Sequence, residues 1–262
     1  MDTLNRKLVF SFYINENYKD KINDIHFASL EYFKDSFDVV NINFVLDDEY
    51  PEDFLLDAES RFCKIFCGKE ITFKMYKNTQ LRESLVFYDR VAKNLKDEGI
   101  VFFAHNKGTT NVAKYNRDEI YTWVVAMYYY SLNFKEEIMQ QLYSQKYYSY
   151  GPFLTKNEEA EKPNKYGWYY IGTFFWVNCK KLYQYMQNEN IPLPEIGDRF
   201  YAEEFLGNII QTWPRVMAGS HETRYLTNCY DYYNNARYYL YNLHETGVDG
   251  FDDFYKMIVG NE

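Results

Sequence analysis

The feature that most constrains this chain is a succession of short apolar runs separated by helical patterns. The strictest of these runs, Ile100 to Ala104 (IVFFA), has no polar residue, as expected of a strand buried on both faces. Lys7 to Ile14 (KLVFSFYI) and Phe37 to Leu46 (FDVVNINFVL) are rich in β-branched and aromatic residues. They stop at the polar clusters Asn15-Glu16-Asn17 and Asp47-Asp48-Glu49, and Glu70 to Tyr76 (EITFKMY) alternates like a half-exposed strand. Helical patterns lie between them, at Asp20 to Phe33 and within Pro51 to Cys67. In Arg82 to Lys96 the spacing predicts one buried face of Leu85, Tyr88, Val91, Ala92 and Leu95, with Gly99 as the stop. Strand and helix in alternation predict an α/β fold: a mixed, mostly parallel sheet flanked by helices.

The second half continues in the same manner. Asn116-Arg117-Asp118-Glu119 has the spacing of a capping box and opens a helix with Ile120, Trp123, Val124 and Met127 on one face. Lys156 to Lys165 is a charged loop, Trp168 to Val177 reads as one strand, and a helix starts near Asn178. The IPLP stretch from Ile191 precedes a helix over Arg199 to Gln211, and a tyrosine-rich helical region closes the chain. With no internal repeat and no linker composition, residues 1–262 are expected to form a single domain, divided into halves 1–115 and 116–262.

Composition narrows the function classes. A chain of 262 residues buries roughly 70% of its unfolded surface and needs no disulfide staples. Cys63 and Cys67 stand four apart on a helical pattern, Cys179 and Cys229 are isolated, and the histidines (His26, His105, His221, His244) form no zinc signature. Reduced thiols in a cytoplasmic protein are the expectation. A net charge of −9 argues against a nucleic-acid partner, which would demand Lys and Arg for the phosphates. No run reaches the 18 or so apolar residues of a transmembrane segment. Aromatic residues are in surplus, with 29 Tyr, 21 Phe and 4 Trp.

Three clusters could carry chemistry. His105-Asn106-Lys107-Gly108-Thr109-Thr110-Asn111 follows the buried strand directly, where ligands bind in open α/β sheets. Its cationic, amide and hydroxyl groups suit an anion such as a diphosphate, and a polar turn is the plainer alternative. Tyr166 to Trp176 (YGWYYIGTFFW) offers aromatic faces and polar handles of the kind that bind sugar rings, against the alternative of a buried aromatic strand. In Asp198 to Gly207, helical spacing aligns Ala202, Phe205, Leu206, Ile209 and Ile210 and leaves Glu203 at the edge of that stripe. A carboxylate at a core boundary is partly desolvated, which raises its pKa and improves it as a general base.

In their order and spacing these clusters resemble a family of bacterial and viral polysaccharide-building glycosyltransferases, related to the rhamnan-synthesis protein F group. The residues that carry the resemblance are His105-Asn106-Lys107-Gly108, Trp123 with Met127, Gly172-Thr173-Phe174-Phe175-Trp176, and Arg199-Phe200-Tyr201-Ala202-Glu203-Glu204-Phe205-Leu206. The resemblance implies a GT-A-like fold, a nucleotide-diphosphate sugar donor and a saccharide acceptor, in polysaccharide or glycan synthesis. It further implies that residues 1–115 form the nucleotide-sugar half and 116–262 the acceptor half. GT-A enzymes usually end the strand equivalent to IVFFA in an Asp-x-Asp that holds Mn or Mg; His105 and Lys107 stand there instead, which leaves metal dependence open.

On this reading Glu203 is the catalytic base of an inverting transfer, and Lys107, with His105, stabilises the leaving diphosphate. Asn106, Gly108, Tyr13 and Asn15 complete the donor side, while Trp168, Gly172, Thr173 and Trp176 are the acceptor-side candidates. A non-catalytic carbohydrate-binding protein is the alternative, since it would use the same aromatic residues without a base.

Overall fold

The computed structural model describes residues 5–109, 117–133, 135–143, 147–152, 154–156, 168–170, 172–210, 216–218 and 250–260. Four strands open the chain: β1 (Arg6–Ile14), β2 (Val39–Leu46), β3 (Glu70–Lys77) and β4 (Ile100–His105). The helices between them are α1 (Lys21–Tyr32), α2 (Glu52–Ile65) and α3 (Glu83–Arg90). Then come α4 (Arg117–Leu132), α5 (Lys135–Tyr143), β5 (Ser149–Gly151), β6 (Leu154–Lys156), β7 (Trp168–Tyr170), β8 (Phe175–Asn178), α6 (Cys179–Asn188), α7 (Tyr201–Ile209), β9 (Val216–Ala218) and α8 (Phe251–Val259).

A seven-stranded sheet runs in the order β3-β2-β1-β4-β8-β5-β9, and β6 pairs with β7 in a separate ribbon. The strands β3, β2, β1 and β4 are mutually parallel, and β8 lies antiparallel between β4 and β5. The fold is therefore the mixed, mostly parallel α/β sheet with flanking helices that the sequence predicts. Period-two alternation divides β1 between two cores. Leu8, Phe10, Phe12 and Ile14 face α1, α2, α4 and α8, while Val9 joins Val101 and Phe103 against α3, α6 and α7.

Chain order reverses at β1, which pairs with β2 on one side and β4 on the other. The crevice outside the carboxyl ends of β1 and β4 is thus the topological switch point, the usual ligand position in such sheets.

Three expectations need correction. The helix predicted over Arg82 to Lys96 stops at Arg90; Val91 leaves helical geometry and a short 3-10 turn, Ala92–Asn94, follows. Within the helix the buried residues are Ser84, Val86 and Phe87, with Leu85 and Tyr88 only half-buried, while Val91, Ala92 and Leu95 are buried beyond the break, as the spacing predicts. The run from Trp168 to Val177 is two strands in different sheets, separated at Gly172 and Thr173, whose φ angles are +84° and +56°. Finally, α4 is buried around nearly its whole circumference from Ile120 to Leu132, which no single apolar stripe describes. Asn116, Thr110, Asn111, the loop from 157 to 165, the residues Tyr166, Gly167 and Ile171, and the tyrosine-rich segment before residue 250 lie outside the described residues.

Candidate active site

β4 ends opposite Ser11, while β1 runs three residues further. Asn106 bridges that offset. Its amide accepts from the Tyr13 N–H at 2.8 Å and donates to the Tyr13 carbonyl at 2.8 Å, so the side chain imitates one more rung of the ladder. Asn106 is 4% exposed, and its amide also donates to Asn23 at 3.2 Å. The donor-contact role expected for it gives way to a positioning role, since the amide is already engaged. Thr109 closes the turn by donating to the Asn106 carbonyl at 2.6 Å. Gly108 adopts φ +91°, and a Cβ there would lie 2.7 Å from Ile120 Cγ2, so only glycine fits without displacement.

Behind this turn sits His26, fully buried. Nε2 lies 2.9 Å from the Lys107 carbonyl and Nδ1 lies 2.9 Å from the Tyr128 hydroxyl. A carbonyl only accepts, so Nε2 carries the proton and Nδ1 accepts from Tyr128. Burial pushes the imidazole pKa down to about 3, which keeps it neutral. Nothing in the local sequence marks His26 as part of the site; only the packing of α1 under the turn does.

Lys107 projects towards Glu203. Its Nζ is 3.8 Å from Glu203 Oε1 and 5.2 Å from the centre of the Trp123 ring. Glu203 stands on the first turn of α7, whose apolar stripe (Ala202, Phe205, Leu206, Ile209, Ile210) is fully buried as predicted. Its side chain is 13% exposed, and burial raises its pKa, opposed by the Lys107 charge. The Gly172 N–H donates to Glu203 Oε1 at 3.2 Å, while the Gly172 carbonyl faces His105 Nε2 at 3.1 Å. One peptide residue thus connects the carboxylate with the imidazole. Burial, then the Lys107 charge, holds His105 well below the ordinary histidine pKa, so it is neutral with its proton on Nε2. The expected share of His105 in stabilising negative charge is therefore corrected: the cation at this place is Lys107.

These groups line a cleft of about 280 Å³ at the switch point. Of the residues predicted from sequence, it brings together Tyr13, His105, Asn106, Lys107, Gly108 and Glu203. Tyr13 donates to Asp47 at 2.5 Å, and burial together with that bond pushes its phenol up to about 12. The remaining predictions fall elsewhere. Asn15 accepts from the Asn17 N–H at 2.9 Å in a local turn, away from the cleft. Trp176 is fully buried between the sheet and its helices, stacked on Phe37, and it donates to the Ser131 carbonyl at 2.8 Å. It belongs to the core and not to a sugar platform, because β8 is an interior strand. Thr173 and Gly172 are likewise buried, and the side chain of Trp168 lies outside the described residues.

Sequence reasoning missed Arg82, Asn78 and Ser84, and it quoted Arg199 without giving it a role. Arg82, Asn78 and Arg199 line the cleft. Ser84 lies beneath, donating to the Arg199 carbonyl at 2.7 Å and accepting from the Ala202 N–H at 3.1 Å, so it holds the first turns of α3 and α7 together.

A divalent ion of the GT-A type does not fit the side chains at the end of β4. That place holds an ammonium and an imidazole whose Nε2–H is engaged with a carbonyl. Among the described residues no group of three or more His, Cys, Asp or Glu side chains converges as a metal site. No helix among them is long and apolar enough to cross a membrane.

Fold and site together define an α/β protein with a charged cleft at the switch point and a desolvated carboxylate inside it. Parallel strands in the order 3-2-1-4, followed by an antiparallel neighbour, set that cleft at the reversal of chain order. No protein-family model matches the sequence, and no curated protein is matched to it. The resemblance to the rhamnan-synthesis group accordingly rests on the quoted motifs alone. Among solved structures the chain is similar to core-mannan synthase A from Aspergillus fumigatus in its Mn/GDP form, with 9% identity and a TM-score of 0.39, over 83% of this chain and 73% of that one. It is also similar to the mannosyltransferase Ktr4p from S. cerevisiae, with 12% identity and a TM-score of 0.34, over 83% of this chain and 72% of that one. Similarity at this level assigns no residue and no substrate here.

Proposed function

We propose that this protein is a glycosyltransferase that moves a sugar from a nucleoside-diphosphate donor to a saccharide hydroxyl, with inversion at the anomeric carbon. The observation that carries the reading is one juxtaposition: the desolvated Glu203 carboxylate faces the Lys107 ammonium across 3.8 Å in the switch-point cleft. Residues 1–115 supply most of the donor side, and residues 116–262 the base and the acceptor side.

The chemistry needs a base where the acceptor proton departs and positive charge where the diphosphate leaves. Without donor, Lys107 neutralises Glu203. A bound diphosphate competes for the ammonium and releases the carboxylate to act as base. The acceptor oxygen then bonds to the anomeric carbon, its proton passes to Glu203, and the bonding pair leaves with the diphosphate. His105 and Gly172 aim the carboxylate and contribute no charge.

Transfer by Glu203→Gln is expected to fall about 10²-fold or more, with donor binding retained, given the usual size of general-base contributions. A thermal-shift screen with UDP-, GDP- and dTDP-sugars followed by a transfer assay measures both. Full activity in E203Q would remove Glu203 from the mechanism. The carbohydrate-binding alternative relies on aromatic faces around Gly172, and among the described side chains of that run Tyr170, Phe174, Phe175 and Trp176 are all buried.

A further inference from the structure

We infer that the cleft grips a diphosphate with three cationic side chains, Lys107, Arg82 and Arg199, in place of a divalent metal. For the nucleotide this deepens the transferase reading and rests on it, while the anion clamp itself can be tested separately.

The three cations come from three different places and line one cleft: the turn after β4, the residue before α3 and the second residue before α7. Against them stand two lining carboxylates, Glu83 and Glu203, so the lining is net positive in a chain of charge −9. Arg82 and Arg199 line the same cleft as Tyr13, His105 and Glu203.

Backbone geometry at Arg82 supports the assignment independently. It has φ +48° and ψ −131°, a combination rarely adopted outside glycine. The conformation is held by its N–H on the Thr79 carbonyl at 3.1 Å and by the Leu85 N–H on its own carbonyl at 3.2 Å. Such strain concentrates at ligand clamps, where a side chain must be aimed against local preference. Ser84, two residues on, bonds the Arg199 carbonyl and the Ala202 N–H, so the two arginines are fixed relative to each other by one buried hydroxyl. Guanidinium forks match the oxygen geometry of phosphates in pairs of bonds. Asp47, just past the end of β2, already accepts from Tyr13 through one oxygen and from Asn78 through the other.

The test is titration of inorganic pyrophosphate, UDP and GDP in EDTA and again in Mn²⁺, read by calorimetry and by the fluorescence of Trp123, whose ring lies beside Lys107. Pyrophosphate and a nucleoside diphosphate are expected to bind in EDTA within about twofold of their affinity in Mn²⁺. R82Q and R199Q, both at exposed positions, are each expected to weaken pyrophosphate about tenfold or more, as loss of a charge-assisted bond does. R82K and R199K should recover only part of this. Binding that requires Mn²⁺, or Gln variants that bind like the wild type, would overturn the clamp. Arginine-dependent pyrophosphate binding without nucleotide binding would uphold the clamp and sink the transferase reading. Nucleotide binding in EDTA that ignores both arginines would do the reverse.

Discussion

Gly172 shows how much a single residue carries in this site. Its N–H orients Glu203, its carbonyl fixes the tautomer of His105, and its φ of +84° sets the chain course between β7 and β8. A Cβ there would lie 2.7 Å from Met127 Cε and 3.2 Å from Trp123 Cζ2. The Met127 end can shift, but the backbone conformation still penalises any L side chain. Gly172→Ala is expected to lower stability by about 1–3 kcal/mol in urea unfolding. Activity should fall further than stability, because both polar groups of the site hang on this peptide. A stable G172A with wild-type kcat would detach Glu203 and His105 from each other. The same residue explains a misreading in the sequence. Gly172 stands among the acceptor-side candidates, whereas the space over it is filled by Trp123 and Met127.

Among elements, legibility follows how local the determinants are. The strands β1, β2, β3 and β4 announce themselves because each is a β-branched and aromatic run, continuous in β4 and alternating in β3, and their boundaries differ from the pattern by at most two residues. Glu203 is legible for a similar reason: helical periodicity alone puts it on the margin of the α7 stripe. Arg82 and Ser84 are not, because what gathers them is the packing of α3 on α7, a contact between residues more than a hundred positions apart. Trp176 misleads because an aromatic residue reads alike on an interior strand and on a platform, and only the insertion of β8 between β4 and β5 decides. The α3–α7 link can be cut with one atom. Ser84→Ala leaves the Arg199 carbonyl and the Ala202 N–H without their buried partner, so stability should fall by about 1–3 kcal/mol. Transfer should weaken too, since Arg82, Arg199 and Glu203 all ride on the joined first turns. Unchanged stability in S84A would show that water replaces the hydroxyl and that the two helices are held by their apolar faces alone.

In the whole molecule, the groups that build the site also tie folding to pH. His26 is neutral in the fold with a pKa of about 3, against about 6.5 for the unfolded chain, so the unfolded state binds more protons between those values. Its contribution is complete above about pH 6.5 and is lost as pH falls towards 3, and His105 acts in the same direction. Glu203 opposes them. Its raised pKa makes the native state the better proton binder above the unfolded carboxylate's pKa, so its contribution is full below about pH 4.3 and lost as pH rises through the folded value. Asp38, held low by Arg6, enters only in stronger acid. Between pH 7 and 5 the unfolding free energy should therefore decline with acidification, by at most about 1.4 kcal/mol per pH unit for each buried imidazole. His26→Gln, which keeps a donor for the Lys107 carbonyl, should remove one imidazole's share of that slope. Glu203→Gln should steepen the slope and raise stability at pH 7 to 8, because the cost of a desolvated carboxylate disappears there. Urea titrations of the three proteins across this range decide the matter. A stability that stays flat from pH 7 to 5 in E203Q, where the opposing carboxylate is gone, would mean that the buried imidazoles take up protons in the native state, and with it the turn that aims Lys107 would be far looser than its hydrogen bonds describe.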